Sequence, residues 1–268
     1  MSVVLTAPDI KGFERDGYVI KRSLLTAGQV AALQDTLVND VALRRRTDGR
    51  RDGDGESVEI ALWNEPGEDS FGALARSELL VGAAATLLGG EVYHYHSKLN
   101  TKRPGAGGTW VWHQDYGYWY DNGCLFPDLL SVAVALSPMS AANGCLKLLA
   151  GSHRAGRVRH LRIGDQTGAD PERVAALEDR LNTVAFEAEP GDVMLFHCNV
   201  LHTSAPNRSD HSRELLLVAY NARHNDPVKE HHHPGYTPIE MLADEEIEAR
   251  AGRYDGEQRT FMALGADV

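Results

Sequence analysis

The spacing of apolar positions divides the chain into two textures. Up to about residue 90 it is helical: Thr26 stands as an N-cap three residues before Gln29, and Val30, Leu33, Leu37 and Val41 line one face behind it. A second apolar helix is predicted over 77–88, closed by Gly89 and Gly90, which suit a left-handed C-cap. From Glu91 onward the apolar residues come in short β-type runs between Gly, Pro, Asn and Asp, predicting strands over 92–98, 110–113, 129–136, 146–149, 183–186, 193–196 and 214–220. One helix, 171–181, interrupts them. The reading is mainly β with flanking α, a distorted double-sheet roll with helices packed outside. No repeat and no compelling linker is present, so a single domain is expected over 1–268: largely helical support over 1–90, a β-roll core over 91–223, and a C-terminal loop and helix over 224–268. The Glu- and Ala-rich stretch 239–254 reads as an exposed amphipathic helix, suited to a subunit contact in a homo-oligomer.

Composition narrows the partners. Hydrophobic residues at 43% and charged residues at 24% exclude a disordered chain. The formal charge of -11 disfavours nucleic acid and anionic lipid as partners, leaving a small-molecule substrate as the expectation. The stretch RRRTDGRRDGDGE, 44–56, nearly balances its own charges and reads as a mobile surface loop. Cys124, Cys145 and Cys198 are odd in number and widely spaced, which fits a reducing, cytoplasmic setting better than a disulfide framework. Asp9, Lys11, Glu14 and Arg15 occupy the region where a signal peptide needs an apolar stretch, and no later run reaches membrane-spanning length.

The densest chemistry lies in WVWHQDYGYWYDNGCLFP, 110–127. On a strand, His113 and Asp115 point to one face and could offer a neutral nitrogen and a charged oxygen to one metal ion. Alone, the pair reads equally well as a surface histidine beside an acid. A second segment ends a strand at His202 and passes through PNRSD to the apolar run RELLLVAY. A hairpin turn between Asn207 and Arg208 would set His202 directly across from Arg213, with Ser204 on the same face. A guanidinium at the head of a buried strand needs an anionic partner, and a bound carboxylate would serve. Two histidines and a carboxylate match the facial triad of non-haem Fe(II) oxygenases. 2-Oxoglutarate, the usual electron donor there, needs a charged fork with a hydroxyl for its distal carboxylate, and Arg213 with Ser204 supplies both.

In order and spacing, His113-Gln114-Asp115, His202-Thr203-Ser204 and Arg213 resemble the phytanoyl-CoA dioxygenase family of Fe(II)/2-oxoglutarate oxygenases. The likeness covers roughly 9–223, including DIKGFERDGYVIKRSLL near the start and NGCLKLLAGSHR at 143–154. It implies a double-stranded β-helix (jelly-roll, cupin-like). His113, Asp115 and His202 are the implied Fe(II) ligands, and Arg213 with Ser204 the clamp on 2-oxoglutarate. Lys98 and Gln114 are implied beside that cosubstrate. Where some relatives place a tryptophan, this chain has Ser131. The implied reaction consumes O2 and hydroxylates a C–H bond, releasing succinate and CO2. Because related halogenases carry a small residue at the position of Asp115, hydroxylation rather than halogenation is implied.

The loop after the metal-binding segment offers Tyr116, Tyr118, Trp119, Asp121 and Asn122 as pocket wall, aromatic faces and an acid that could hold an amine. Lys102, Arg103, Arg157, Arg159 and His160 could meet an anionic group. A small polar or zwitterionic metabolite, such as an amino acid, an aminoalkylphosphonate or a natural-product intermediate, is therefore favoured over a fatty acyl-CoA. Two other classes compete: a zinc hydrolase using the same three ligands, and a noncatalytic ligand-binding β-roll. The first has no general use for the Arg213 and Ser204 pair; the second predicts a broken ligand set, whereas all three residues are present. His231, His232 and His233 are read as a flexible loop with no site, and His96 as a packed histidine.

Overall fold

Alternation along the longest strands decides the architecture. The computed structural model describes residues 4–45, 48–51, 57–105 and 108–257. In chain order the strands are β1 (Tyr18–Lys21), β2 (Asp48–Arg51), β3 (Ser57–Trp63), β4 (Val92–Lys102), β5 (Trp110–His113), β6 (Leu129–Ala135) and β7 (Leu146–Leu149). They continue with β8 (His160–Ile163), β9 (Gln166–Ala169), β10 (Thr183–Ala185), β11 (Val193–His197), β12 (His202–Ser204) and β13 (Arg213–Ala222). A large sheet runs β1-β11-β6-β13-β4-β3-β2, a small one β10-β7-β12-β5, and β8 with β9 forms a separate hairpin.

On β13, Leu216, Val218 and Tyr220 join the outer core, whereas Leu215 and Leu217 join the core between the sheets. The same division holds on β6, with Val132 and Val134 outside and Ala133 and Ala135 inside, and on β11, with Val193 and Leu195 outside and Met194 and Phe196 inside. A sheet covered on both faces reads as a continuous apolar run, which is why RELLLVAY carries so little alternation. The small sheet closes the inner face through Leu146 and Leu148. Helices close the outer one.

The helices are α1 (Ala7–Asp16), α2 (Ala27–Asn39), α3 (Val41–Arg45), α4 (Ser70–Arg76), α5 (Glu78–Leu88), α6 (Asp115–Trp119), α7 (Pro171–Glu178) and α8 (Glu246–Ala249); α1 to α5 and α8 feed that outer core, whereas α6 lies at the cavity and α7 packs with Leu149 and Leu201. Thr26 caps α2 in a reciprocal box with Gln29, and α5 starts at an Ser77 cap and ends on Gly89 at φ 74°. Phe71 and Leu74 of α4, with Leu80, Val81 and Ala84 of α5, pack on the outer core. The described residues of 1–90 thus hold five helices, but they also contribute β1, β2 and β3 to the large sheet, which helical periodicity alone does not reveal. In the charged stretch 44–56, Asp48–Arg51 forms β2, paired with β3, rather than a loop; 46–47 and 52–56 lie outside the described residues.

Two further sequence expectations are corrected. The segments of His202 and Arg213 are not a hairpin: β12 lies between β5 and β7 in the small sheet, while β13 lies between β4 and β6 in the large one. A strand buried on both faces needs ladder partners on both edges, and β4 and β6 supply them. The crossing is held by Asn207, whose Nδ2 donates to the carbonyls of Lys102 at 3.0 Å and His211 at 2.7 Å. The second correction concerns 239–254, which is helical only over Glu246–Ala249. Its earlier part is committed elsewhere: Leu242 bridges Ser77, and Asp244 Oδ1 accepts the Leu79 amide at 2.9 Å. Ile247 is fully buried in the outer core, and Glu248 Oε1 accepts from Thr26 Oγ1 at 2.8 Å, so the segment packs on its own chain.

Among the described residues no helix is long and apolar enough to cross a membrane. If α8 belongs to the core, Ile247→Ala is expected to cost about 2–5 kcal/mol, as other buried Ile truncations do. Urea unfolding midpoints check this; a shift below about 1 kcal/mol with a changed oligomeric state would return the segment to a subunit contact.

Candidate active site

The ladder between β12 and β5 sets His202 opposite His113, their ring centroids 4.1 Å apart. Each imidazole is oriented by the same local device. Nδ1 of His113 lies 2.8 Å from the Val111 carbonyl, and Nδ1 of His202 lies 3.0 Å from that of Val200, so in each ring Nδ1 carries the proton and Nε2 keeps its lone pair. Asp115 does not lie on the strand with His113. It opens the one-turn helix α6, and the turn delivers its carboxylate to the same point, with Oδ1 3.8 Å from His202 Nε2. One ligand atom from each of His113, Asp115 and His202 lies within 4.8 Å of the others, and all three residues are buried.

Burial opposes ionisation of Asp115, but Lys98, then His202 and His113, and a hydrogen bond from Ser131 together hold it well below the usual carboxylate range. Lys98 Nζ stands 3.4 Å from Oδ1, and Ser131 Oγ donates to Oδ2 at 2.6 Å. Burial, and for His113 also the neighbouring His202, pushes both imidazoles below their ordinary pKa against the pull of Asp115. The set is two neutral nitrogens and one anionic oxygen, a donor set suited to a divalent iron.

The cavity continues along the inner face of the large sheet. His96, Lys98 and Asn100 of β4 line it at every second residue, and Arg213 faces it from β13. Arg213 is fully buried. Its Nη1 reaches the Asn100 carbonyl at 3.3 Å, its Nε has no partner among the described residues, and burial pulls its pKa down to about 10, still cationic at neutral pH. Ser204 lines the cavity from β12 and accepts from Lys102 Nζ at 2.7 Å, which leaves its hydroxyl proton free to donate. Lys102 is itself buried.

Of the predicted wall, Tyr118 and Trp119 line the cavity. Tyr116 does not; its hydroxyl donates to the carbonyls of Leu125 at 2.7 Å and Cys124 at 3.2 Å, in the aromatic cluster that packs around Trp119. Asn122 is buried away from the cavity, and Asp121 is largely exposed beside Arg157. Gln114 also points elsewhere: Nε2 donates to the Gly156 and Asn199 carbonyls, and Oε1 accepts from the Val158 amide at 2.7 Å. His160 is structural too, its Nε2 accepting from the Gln114 amide at 3.0 Å. It packs so closely that a Cβ on Gly117 would stand 2.1 Å from the ring, which explains the glycine inside α6. Arg103 pairs with Glu59 and Arg157 stacks over Tyr120, so neither these two nor Arg159 lines the cavity.

Two residues take parts other than those the sequence reading gave them, His233 having been read as a flexible loop with no site and Ser131 as standing where some relatives have a tryptophan. His233 is buried and lines the cavity, stacked on His96 with centroids 4.5 Å apart. Ser131 orients the Asp115 carboxylate. Period-two alternation carried on from Lys98 through Asn100 to Lys102 was the readable signal for a longer β4; nothing local distinguishes His233 from its two neighbours.

A double-stranded β-helix with a buried His-x-Asp and a distant His defines a class of metal-dependent oxygenase folds. The phytanoyl-CoA dioxygenase family model matches residues 13–215, and the chain belongs to that family of Fe(II)/2-oxoglutarate-dependent oxygenases. It is 28% identical to the ectoine dioxygenase of Streptomyces anulatus over 237 residues, covering 82% of this chain and 80% of the relative. It is 32% identical to the L-proline trans-4-hydroxylase of Streptomyces griseoviridis over 187 residues, 64% and 68% of the two chains. The crystal structure of EctD from S. alaskensis with 2-oxoglutarate and 5-hydroxyectoine superposes with a TM-score of 0.76 at 26% identity, covering 90% of this chain and 89% of that one.

Removing the Ser131 hydroxyl leaves Asp115 one hydrogen bond short. Ser131→Ala is expected to weaken Fe(II) binding about tenfold, as loss of a supporting partner to a metal ligand does, with the circular dichroism spectrum unchanged. Anaerobic Fe(II) titration measures it; unchanged affinity would assign Ser131 to packing alone.

Proposed function

We propose that His113, Asp115 and His202 hold the Fe(II) of this oxygenase, that Arg213 with Ser204 binds the distal carboxylate of 2-oxoglutarate, and that the substrate is a small zwitterion. The observation that carries the reading is the fully buried Arg213, with an unpartnered Nε, in the same cavity as the three ligands. A buried guanidinium in that state calls for an anion, and a carboxylate matches its planar fork. Iron bound with 2-oxoglutarate and O2 supplies an oxidant able to hydroxylate an unactivated C–H bond, with succinate and CO2 as coproducts.

The remaining work falls to the chain. Lys98 and Ser131 keep Asp115 ionised and oriented, and the Val111 and Val200 carbonyls keep both imidazoles in one tautomer. Ser204, its oxygen occupied by Lys102, directs its proton to the cosubstrate. Leu215, Leu217, Ile60 and Leu62 give the cavity an apolar wall that excludes water, so a competing reductant has little access.

Ectoine and L-proline, the compounds in the relatives' names, are compact zwitterions, and a cavity with Tyr118 and Trp119 on its wall suits that class. A fatty acyl-CoA is less well served, because the surface arginines Arg103 and Arg157 are already engaged. Three buried, unpaired cysteines support a reducing, cytoplasmic setting.

Anaerobic titration with Fe(II) and then 2-oxoglutarate is expected to develop a visible metal-to-ligand charge-transfer band. Arg213→Ala is expected to raise the 2-oxoglutarate concentration for half-saturation about thirtyfold or more, from the ~2 kcal/mol or more that truncating one side of a buried charge pair costs. Iron binding without any band would sink the assignment.

A further inference from the structure

The cavity has one carboxylate among the described residues that line it, Asp115, and that group is committed to the metal-binding cluster. A substrate ammonium therefore has no acid to pair with. What the wall offers instead is His96 from β4 and His233 from the C-terminal segment, stacked at 4.5 Å with an interplanar angle of 28°. Trp119 stands edge-on to His96 at 5.6 Å.

The tautomer of His233 follows from its neighbours. Asn64 Nδ2 donates to the His232 carbonyl at 2.6 Å, which turns its Oδ1 toward His233 Nδ1 at 3.0 Å. Nδ1 must then carry the proton, and Nε2 of this cavity-lining residue keeps a bare lone pair. His96 Nδ1 is buried with no partner among the described residues. Burial, then the neighbouring histidines and Lys98, keeps both rings well below the ordinary histidine pKa, so neither ring is a cation at neutral pH.

We propose that His96 and His233 form the subsite that selects the substrate's nitrogen end, with His233 Nε2 accepting a hydrogen bond from a substrate N–H while Trp119 and His96 supply ring surface beside it. The inference rests on the oxygenase reading above and specifies its substrate class: a compact carboxylic acid whose nitrogen carries at least one proton. A quaternary nitrogen, or an ether oxygen in its place, leaves the imidazole acceptor unpaired and is rejected.

The test is a matched set of probes, L-proline and ectoine with N–H, N,N-dimethyl-L-proline with the charge but no N–H, and tetrahydrofuran-2-carboxylate with neither. Substrate-stimulated succinate release is measured on wild type and His233→Phe, a variant that keeps the ring stack. An N–H probe is expected to exceed both analogues by about tenfold or more in kcat/KM in wild type, and that margin is expected to collapse in the variant. The charge-transfer band with Fe(II) and 2-oxoglutarate is expected to be the same in both proteins. Equal turnover of the analogues in wild type overturns the subsite, as does a margin that survives His233→Phe. A normal band with no stimulation by either N–H probe overturns the subsite alone; absence of the band in wild type overturns the oxygenase assignment with it. Should the variant not fold, the wild-type comparison of the isosteric pair, L-proline and tetrahydrofuran-2-carboxylate, still decides.

Discussion

The site depends on where one three-residue strand lies. Because β12 pairs with β5 on one edge and β7 on the other, His202 faces His113 across a ladder, and Ser204 opens onto the same cavity. Placed beside β13 instead, the same residues would face the large sheet's outer neighbours or break its ladder. Backbone hydrogen bonding therefore does the positioning, and the two imidazoles need only a carbonyl two residues back to fix their rings. Asp115 arrives differently, from the first position of a helical turn, so three ligand atoms converge from two kinds of local structure.

Electrostatics in the cavity run opposite to the chain as a whole. The protein carries a formal charge of -11, yet Lys98, Lys102 and Arg213 gather on or beside the inner face with Asp115 as the carboxylate lining it. Taking such cations out of water is costly unless a bound anion completes them. That imbalance is the physical ground for an anionic cosubstrate, and global charge could not have disclosed it. It also explains why a substrate nitrogen would be met by neutral rings rather than by a second acid, since another buried carboxylate would compete for the same cations.

The C-terminal segment belongs to this arrangement. Ile247 enters the outer core, Asp244 holds the first turn of α5, and His233 closes the cavity beside His96. A segment that reads as peripheral is a wall of the pocket and a prop for the helices behind the sheet.

Much of this was legible beforehand for a reason that can be stated. Short apolar runs bounded by Gly, Pro, Asn and Asp, and helices with Ser or Thr caps, mark their own limits in the chain, so β5, β6, β7, β11, α2 and α5 could be placed from local pattern. His113, Asp115, His202 and Arg213 stood out because metal and carboxylate chemistry demands particular side chains at ordered spacing. Contacts between segments remote in sequence left no such mark. Gln114 sits between His113 and Asp115 and yet spends its amide on the carbonyls of Gly156 and Asn199, while Ser131 and His233 reach the site from a separate strand and from the C-terminal segment. The sequence by itself determined which residues could do the chemistry, because composition and period are local properties. Only the tertiary structure decided which of them share a cavity, because that follows from strand pairing across the two sheets, where a single shift in partner moves a side chain from the site to the core.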